Sequence, residues 1–230
     1  NGTPTPNKFT YVEQTRDNSQ KGVLLNNVVL NSSFENGVAN WHDDGAAGTI
    51  ATLSDPEGFT YGRFTGANQF LEQILPVGSA QPGAIYKVSM KVRNLSNNPL
   101  EFSISIQNYA SYLINHAIIG QNTGWQTFEF TTSAAPAGAN QLYYWFKNIT
   151  GTAVDITDII ITEQSQYSTQ DVVKVKTYDT AFNTAQTLKS QAWQLDKNGD
   201  GSVIRIKTQE VINGTPTPNK FTYVEQTRDN

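Results

Sequence analysis

Apolar and polar residues alternate with a period of two through most of this chain, in short runs. VVLNSSFE, GTIATL, YGRFT, QFLEQILPV, AIYKVSMKVRN, LEFSISIQN, WQTFEFTT, QLYYWFKNIT and VDITDIIIT follow one another from Leu24 to about Thr162. Gly, Asn and Pro clusters separate them, and helix-period segments are missing between. Strands with regular turn signals predict an all-β sandwich or barrel. The alternation also sorts faces. Tyr86, Val88, Met90 and Val92 read as core, and so do Phe102, Ile104 and Ile106, and Leu142, Tyr144 and Phe146. Arg93, Glu101, Ser103, Ser105, Gln107, Gln141, Tyr143, Trp145 and Lys147 fall on the opposite faces.

The termini repeat each other. NGTPTPNKFTYVEQTRDN stands at Asn1–Asn18 and again, letter for letter, at Asn213–Asn230. Two explanations stay open: one full period of a tandem array plus the start of the next, or a linker duplicated by design. Within the repeat, KFTYVEQT alternates as a strand does. VVKVKTYD and SVIRIKTQEVI read as strands too, and Trp193–Asp196 faces Ser202–Lys207 across an Asn-Gly turn, a hairpin signal. TAFNTAQTLKSQ is ambiguous between strand and short helix. The expected organisation is an extended segment or strand over 1–23, a main domain over 24–163, and a small β-rich connector over 164–230. The connector would need the repeated KFTYVEQT to complete its sheet, because an unpaired edge is a liability.

Composition narrows the function classes. Charged residues are only 16%, aromatics are 11%, and the net charge is −4 with no basic block, which argues against a nucleic-acid partner. No apolar run approaches the roughly 20 residues of a membrane helix, so no membrane partner is expected. Cysteine is absent, which excludes disulfides, thiolate metal sites and Cys nucleophiles. No nucleophile elbow, zinc motif or phosphate loop is found, so no catalytic residue is expected.

LLNNVVLNSSFENGVANW carries a resemblance. Its Asn31, Phe34, Glu35, Gly37 and Trp41 are similar to the opening of the carbohydrate-binding modules grouped as families 4, 9 and 22. Further matches follow in order: Gln73 in FLEQIL; Pro82, Gly83, Tyr86, Ser89 and Lys91 in PGAIYKVSMKVRN; then GWQTFEFT and VDITDIIIT. The resemblance covers about residues 24–163. It implies a jelly-roll β-sandwich of two antiparallel sheets, and members often bind polysaccharide. It also implies a structural Ca²⁺, for which Glu35 and Asp158 are the candidates. The chain departs from the usual adjacent Asp pair, since Thr157 precedes Asp158. The carboxylates merely bonding loop backbone is the equal alternative.

A pyranose offers an apolar C–H face to an aromatic plane and hydroxyls to planar polar partners. Tyr143 and Trp145 are therefore the candidate stacking platforms, Gln107, Gln141 and Arg93 the hydrogen-bonding set, and Tyr109 and Tyr112 a rim. The competing reading is ordinary cross-strand packing. Asp196–Gly201 matches the first six positions of an EF-hand loop, but Lys207 stands where a bidentate Glu is required, so a hairpin turn is expected. His42-Asp43-Asp44 reads as loop and His116 as an ordinary, partly buried histidine. The resulting expectation is a non-catalytic module of an extracellular, cell-surface or virion-fibre repeat protein, an adhesin or spacer. Its expected partners are surface glycans and neighbouring identical modules, the latter through 1–18 and 213–230. The alternative is a purely structural fibre subunit.

Overall fold

The computed structural model describes residues 8–45, 50–106, 111–181 and 186–228. The alternating runs become strands β1 (Lys8–Arg16), β2 (His42–Gly45), β3 (Ile50–Ser54), β4 (Thr60–Phe64), β5 (Gln69–Ile74), β6 (Tyr86–Asn94), β7 (Leu100–Ile106) and β8 (Ser111–Ile119). They continue as β9 (Gln126–Thr131), β10 (Leu142–Asn148), β11 (Val154–Glu163), β12 (Val172–Ala181), β13 (Thr187–Asp196), β14 (Val203–Ile212) and β15 (Thr215–Thr227), with one short helix, α1 (Lys21–Leu24). Two compact units result: residues 26–167 form one, and residues 1–25 with 168–230 the other.

The 26–167 unit is a jelly-roll sandwich of two five-stranded antiparallel sheets, ordered β2-β5-β10-β7-β8 and β3-β4-β11-β6-β9. The chain passes repeatedly from one sheet to the other, so neighbours in sequence are often not neighbours in a sheet. Inward positions of both sheets meet in one core, where Phe64, Leu71, Val88, Met90, Phe102, Ile104, Tyr144, Phe146 and Ile156 are sealed from solvent. Each such side chain contributes about 1.5–3 kcal/mol by leaving water.

VVLNSSFE (residues 28–35), expected as a strand, is instead a run of turns with Asn31 and Phe34 at positive φ. The Asn31 amide explains why. It donates to the carbonyls of Gly37 and Ala39 and accepts from the Asn36 N–H, which ties the segment to itself. This lets Phe34 stack on Trp41 (centroids 4.7 Å apart) and bury completely. Trp41 in turn donates its indole N–H to the Asn31 carbonyl and meets Tyr144 edge-on. Gln73 clips the segment to β5, its amide exchanging two hydrogen bonds with the Leu30 backbone. Asn31, Phe34 and Trp41, from the opening stretch of the resemblance, thus form a structural plug.

In the other unit, all five strands lie in one antiparallel sheet, β1-β12-β13-β14-β15. The predicted hairpin is present, with Trp193 opposite Lys207 and Asp196 opposite Ile204. At its turn, both Asp196 carboxylate oxygens accept backbone N–H groups, from Gly199 and Gly201. The ambiguous 180–191 segment contributes strand at both ends, and Phe182–Ala185 lie outside the described residues. One face packs against residues 17–24: Trp193 donates to Asp17, Arg205 to the Leu24 carbonyl and Lys207 to Gln20.

Candidate functional site

The outer face of the β2-β5-β10-β7-β8 sheet is built by residues that alternate with the core set. Phe70, Glu72 and Ile74 come from β5, Tyr143, Trp145 and Lys147 from β10, and Glu101, Ser103 and Ser105 from β7. The strand registers place Ile74, Tyr143, Ser105 and Tyr112 in one lateral row, and His42, Glu72, Trp145 and Ser103 in the next. His42 therefore stands on an edge strand, where the sequence suggested a loop.

An aromatic line crosses this face. Trp145 meets Phe70 on one side (5.4 Å between centroids) and His116 on the other (5.1 Å), both edge-on, and His116 lies 6.3 Å from Tyr112. These contacts close over Trp145, which is 4% exposed. The expectation that Trp145 is an open stacking platform is corrected accordingly: it is the buried centre of the line and sets the rings around it. Tyr143 is half-buried and Tyr112 is 39% exposed. They flank Ser105 across β7, two strand spacings or about 10 Å apart at the backbone. Ser105 Oγ is buried with no hydrogen-bond partner among the described residues. A buried hydroxyl left unpaired costs about 1–3 kcal/mol.

Gln141 belongs to the framework. Its amide N–H donates to the Leu75 carbonyl (2.7 Å), and its Oε1 accepts the Tyr143 hydroxyl (3.3 Å). It therefore orients Tyr143. Gln107 and Tyr109 lie outside the described residues.

His116 is the residue that sequence reasoning missed. Bulges interrupt the β7–β8 register, His116 sits at φ 50°, and its backbone N–H donates to Ser103 Oγ at 2.9 Å. The bulge re-aims the ring onto the sheet face, where Nδ1 lies 3.1 Å from Glu101 Oε2. The only sequence signal is the break in alternation within LINHAII.

Arg93 is not part of this face. Its strand, β6, pairs with β11 and β9 in the opposite sheet. There Arg93 and Arg63 share the fully buried Asp155 carboxylate through hydrogen bonds of 2.6–2.8 Å. The bond to Asp155 raises the Arg63 pKa further above its ordinary value. Arg93 also lies over the Trp125 and Tyr61 rings, at 4.7 and 5.3 Å. Trp125 donates to Asp55 (2.8 Å), and that bond, followed by the Glu57 N–H, holds Asp55 below the usual carboxylate range. The arrangement clamps β4, β11 and β6 together.

The calcium expectation does not fit the donors present. The ammonium of Lys91 sits 3.0 Å from Asp158 Oδ2, supplying the positive charge there, and Glu35 is exposed on its turn. Among the described residues, no three His, Cys, Asp or Glu side chains group as a metal site.

The outer face of this sandwich thus carries an aromatic line with carboxylates beside it. Residues 26–148 match the carbohydrate-binding domain family, and the chain belongs to it. No curated protein matches the chain. Among solved structures, it is similar to the enzymatically active domain of tailspike protein 4 of bacteriophage CBA120 (15% identity, TM-score 0.50), over 60% of this chain and 21% of that one. It is also similar to the CBM22-1 and GH10 modules of a Clostridium thermocellum xylanase, complexed with xylohexaose (14%, TM-score 0.47, 60% of this chain and 29% of that one). A third is the CBM22-1 xylan-binding domain from Paenibacillus barcinonensis (16%, TM-score 0.46, 57% and 91%). At 15% identity, the likeness to the tailspike domain is one of fold. No helix among the described residues is long and apolar enough to cross a membrane.

Proposed function

We propose that the 26–167 unit binds a polysaccharide chain across the outer face of the β2-β5-β10-β7-β8 sheet, without catalysing its cleavage. The observation that carries this is the pair of tyrosines, Tyr143 half-buried and Tyr112 exposed, that the registers set on either side of Ser105. Two tyrosines offer planes to C–H faces, while Glu101 and His116 stand beside them for sugar hydroxyls. Membership of the carbohydrate-binding domain family supports the reading. Xylan and xylohexaose, named for two of the similar structures, are convenient first probes.

We infer a tandem array at a cell surface or on a virion fibre as the setting of this module; the identical eighteen-residue ends support the array. Repetition then raises weak single-site binding by effective concentration. Affinity electrophoresis against a panel of soluble xylans, glucans and galactans tests the site. One polysaccharide is expected to retard the protein, and Tyr143→Ala or Tyr112→Ala to weaken retardation by about tenfold, the equivalent of about 1.4 kcal/mol. Retardation that survives both changes would move the site elsewhere. The residues encoded beyond Asn230 test the array: they are expected to continue SQKGVLLNN.

A further inference from the structure

The two copies of the repeated segment occupy opposite edges of one sheet. Among the described residues, β1 lies at one edge, paired only with β12, and β15 at the other, paired only with β14. Four antiparallel pairings separate them, so β1 and β15 run in the same direction.

They also present the same face. The registers join Thr15, Lys174, Trp193, Lys207 and Tyr223 in one lateral row. Lys174 and Lys207 both lie over Trp193, and Lys207 lies over Phe221 too. Tyr223 is the counterpart of Tyr11, which faces the same way as Thr15 and lies against Tyr178. The offset across the sheet is thus four positions. An even offset keeps every side chain on its own face, whereas an odd one would invert them all.

The hydrogen bonds complete the match. In the first copy Asp17 N–H donates to the Val172 carbonyl (2.9 Å); in the second, Arg228 N–H donates to the Ser202 carbonyl (2.9 Å). Arg228 corresponds to Arg16, the neighbour of Asp17. Antiparallel ladders use alternate residues on each edge. The first copy therefore spends the amides of Tyr11, Glu13 and Thr15 on β12. The second spends those of Thr222, Val224 and Gln226 on β14, leaving Tyr223, Glu225 and Thr227 pointing outward. Those outward amides are the counterparts of the ones the first copy spends on β12. The same words of sequence carry both sets at once, without conflict.

We propose that the repeated strand is held in common by consecutive copies, with β14 of one copy on one edge and β12 of the next on the other, so that one antiparallel sheet runs on from copy to copy. This rests on the tandem reading above and is independent of glycan binding. It also gives a physical reason for the identity of the two segments: one stretch must satisfy two different neighbours, so both edges constrain it. The β1–β12 pairing begins at Lys8, the counterpart of Lys220, so the shared ladder runs from Lys220 onward.

The test compares the 230-residue chain with a chain of two periods, residues 1–212 followed by 1–230, by residue-resolved amide hydrogen exchange. In the shorter chain, Tyr223, Glu225 and Thr227 are expected to exchange at least about tenfold faster than Thr222, Val224 and Gln226. In the two-period chain, both sets in the central copy become slow. A central copy that keeps alternate fast amides in either phase, or is fast throughout, overturns the proposal. Tyr223→Pro in the central copy provides a second check, because it deletes an outward N–H and leaves the β14 ladder whole. Melting of the shorter chain should be unchanged by it, while the β12 amides of the second module lose protection in the longer one. Retained protection there contradicts strand sharing. The exchange result does not depend on the residues encoded beyond Asn230, so failure of the array and failure of the shared strand are read separately.

Discussion

Trp145 and Tyr143 differ by two positions and by one neighbourhood. Both point out of the same strand face, yet Phe70 and His116 close over Trp145 and leave Tyr143 half-open. Trp145→Ala is therefore expected to act on stability, costing about 3–5 kcal/mol as large-to-small core changes do, seen as a fall in melting temperature. Tyr143→Ala should spare melting and weaken ligand retention. A Trp145→Ala protein that melts like the parent would show that the aromatic line does not pack as described. Tyr167 supplies a pH signature on the other sheet. Burial first, then its 2.5 Å hydrogen bond to Glu129, pushes its phenol up to about 12. The folded value is above the unfolded one, near 10, so its contribution is whole below pH 10 and is lost as pH rises from there to about 12. Alkaline titration followed by phenolate absorbance should show a late-titrating tyrosine that Tyr167→Phe removes.

Among the elements, the turn from Asn31 to Trp41 shows where sequence reading succeeds and fails. Its letters carried the family resemblance, but its apolar spacing read as a strand. Asn31 hydrogen-bonding and two positive φ values override that spacing, and such local side-chain-to-backbone bonds are invisible to a period count. The plug has a sharp consequence at Gly62 on β4. A Cβ there would stand 2.4–2.5 Å from the Phe34 ring, so Gly62→Ala should cost about 3 kcal/mol or more by overpacking, measurable by urea unfolding. Facing was legible wherever alternation was strict: the in–out sorting of β6, β7 and β10 is what the structure holds. Sheet membership was not legible. β6 and β7 follow each other closely yet enter opposite sheets, so Arg93 left the predicted site for the clamp on Asp155. The β8 strand was hidden because its bulges break the period, and His116 was hidden with it.

At the scale of the whole chain, the repeat was readable from letters alone, because identity over eighteen positions needs no physics. The role proposed for that identity came only from the sheet order, which puts the copies at opposite edges with complementary amides. The carbohydrate-binding unit is inserted, in chain order, between β1 and β12, so every period of an array would carry one binding unit and one linking sheet. The central claim is that the sheet face bearing Tyr143, Ser105 and Tyr112 is where a polysaccharide binds. Its most direct test is an NMR titration of the 230-residue chain with xylohexaose and with the oligosaccharides of whichever polysaccharide retards it. The expected result is a set of shifting signals confined to Tyr143, Ser105, Tyr112, His116 and Glu72. Shifts centred instead on Arg93, Trp125 and Tyr61 of the opposite sheet, or none with any glycan, would contradict the account.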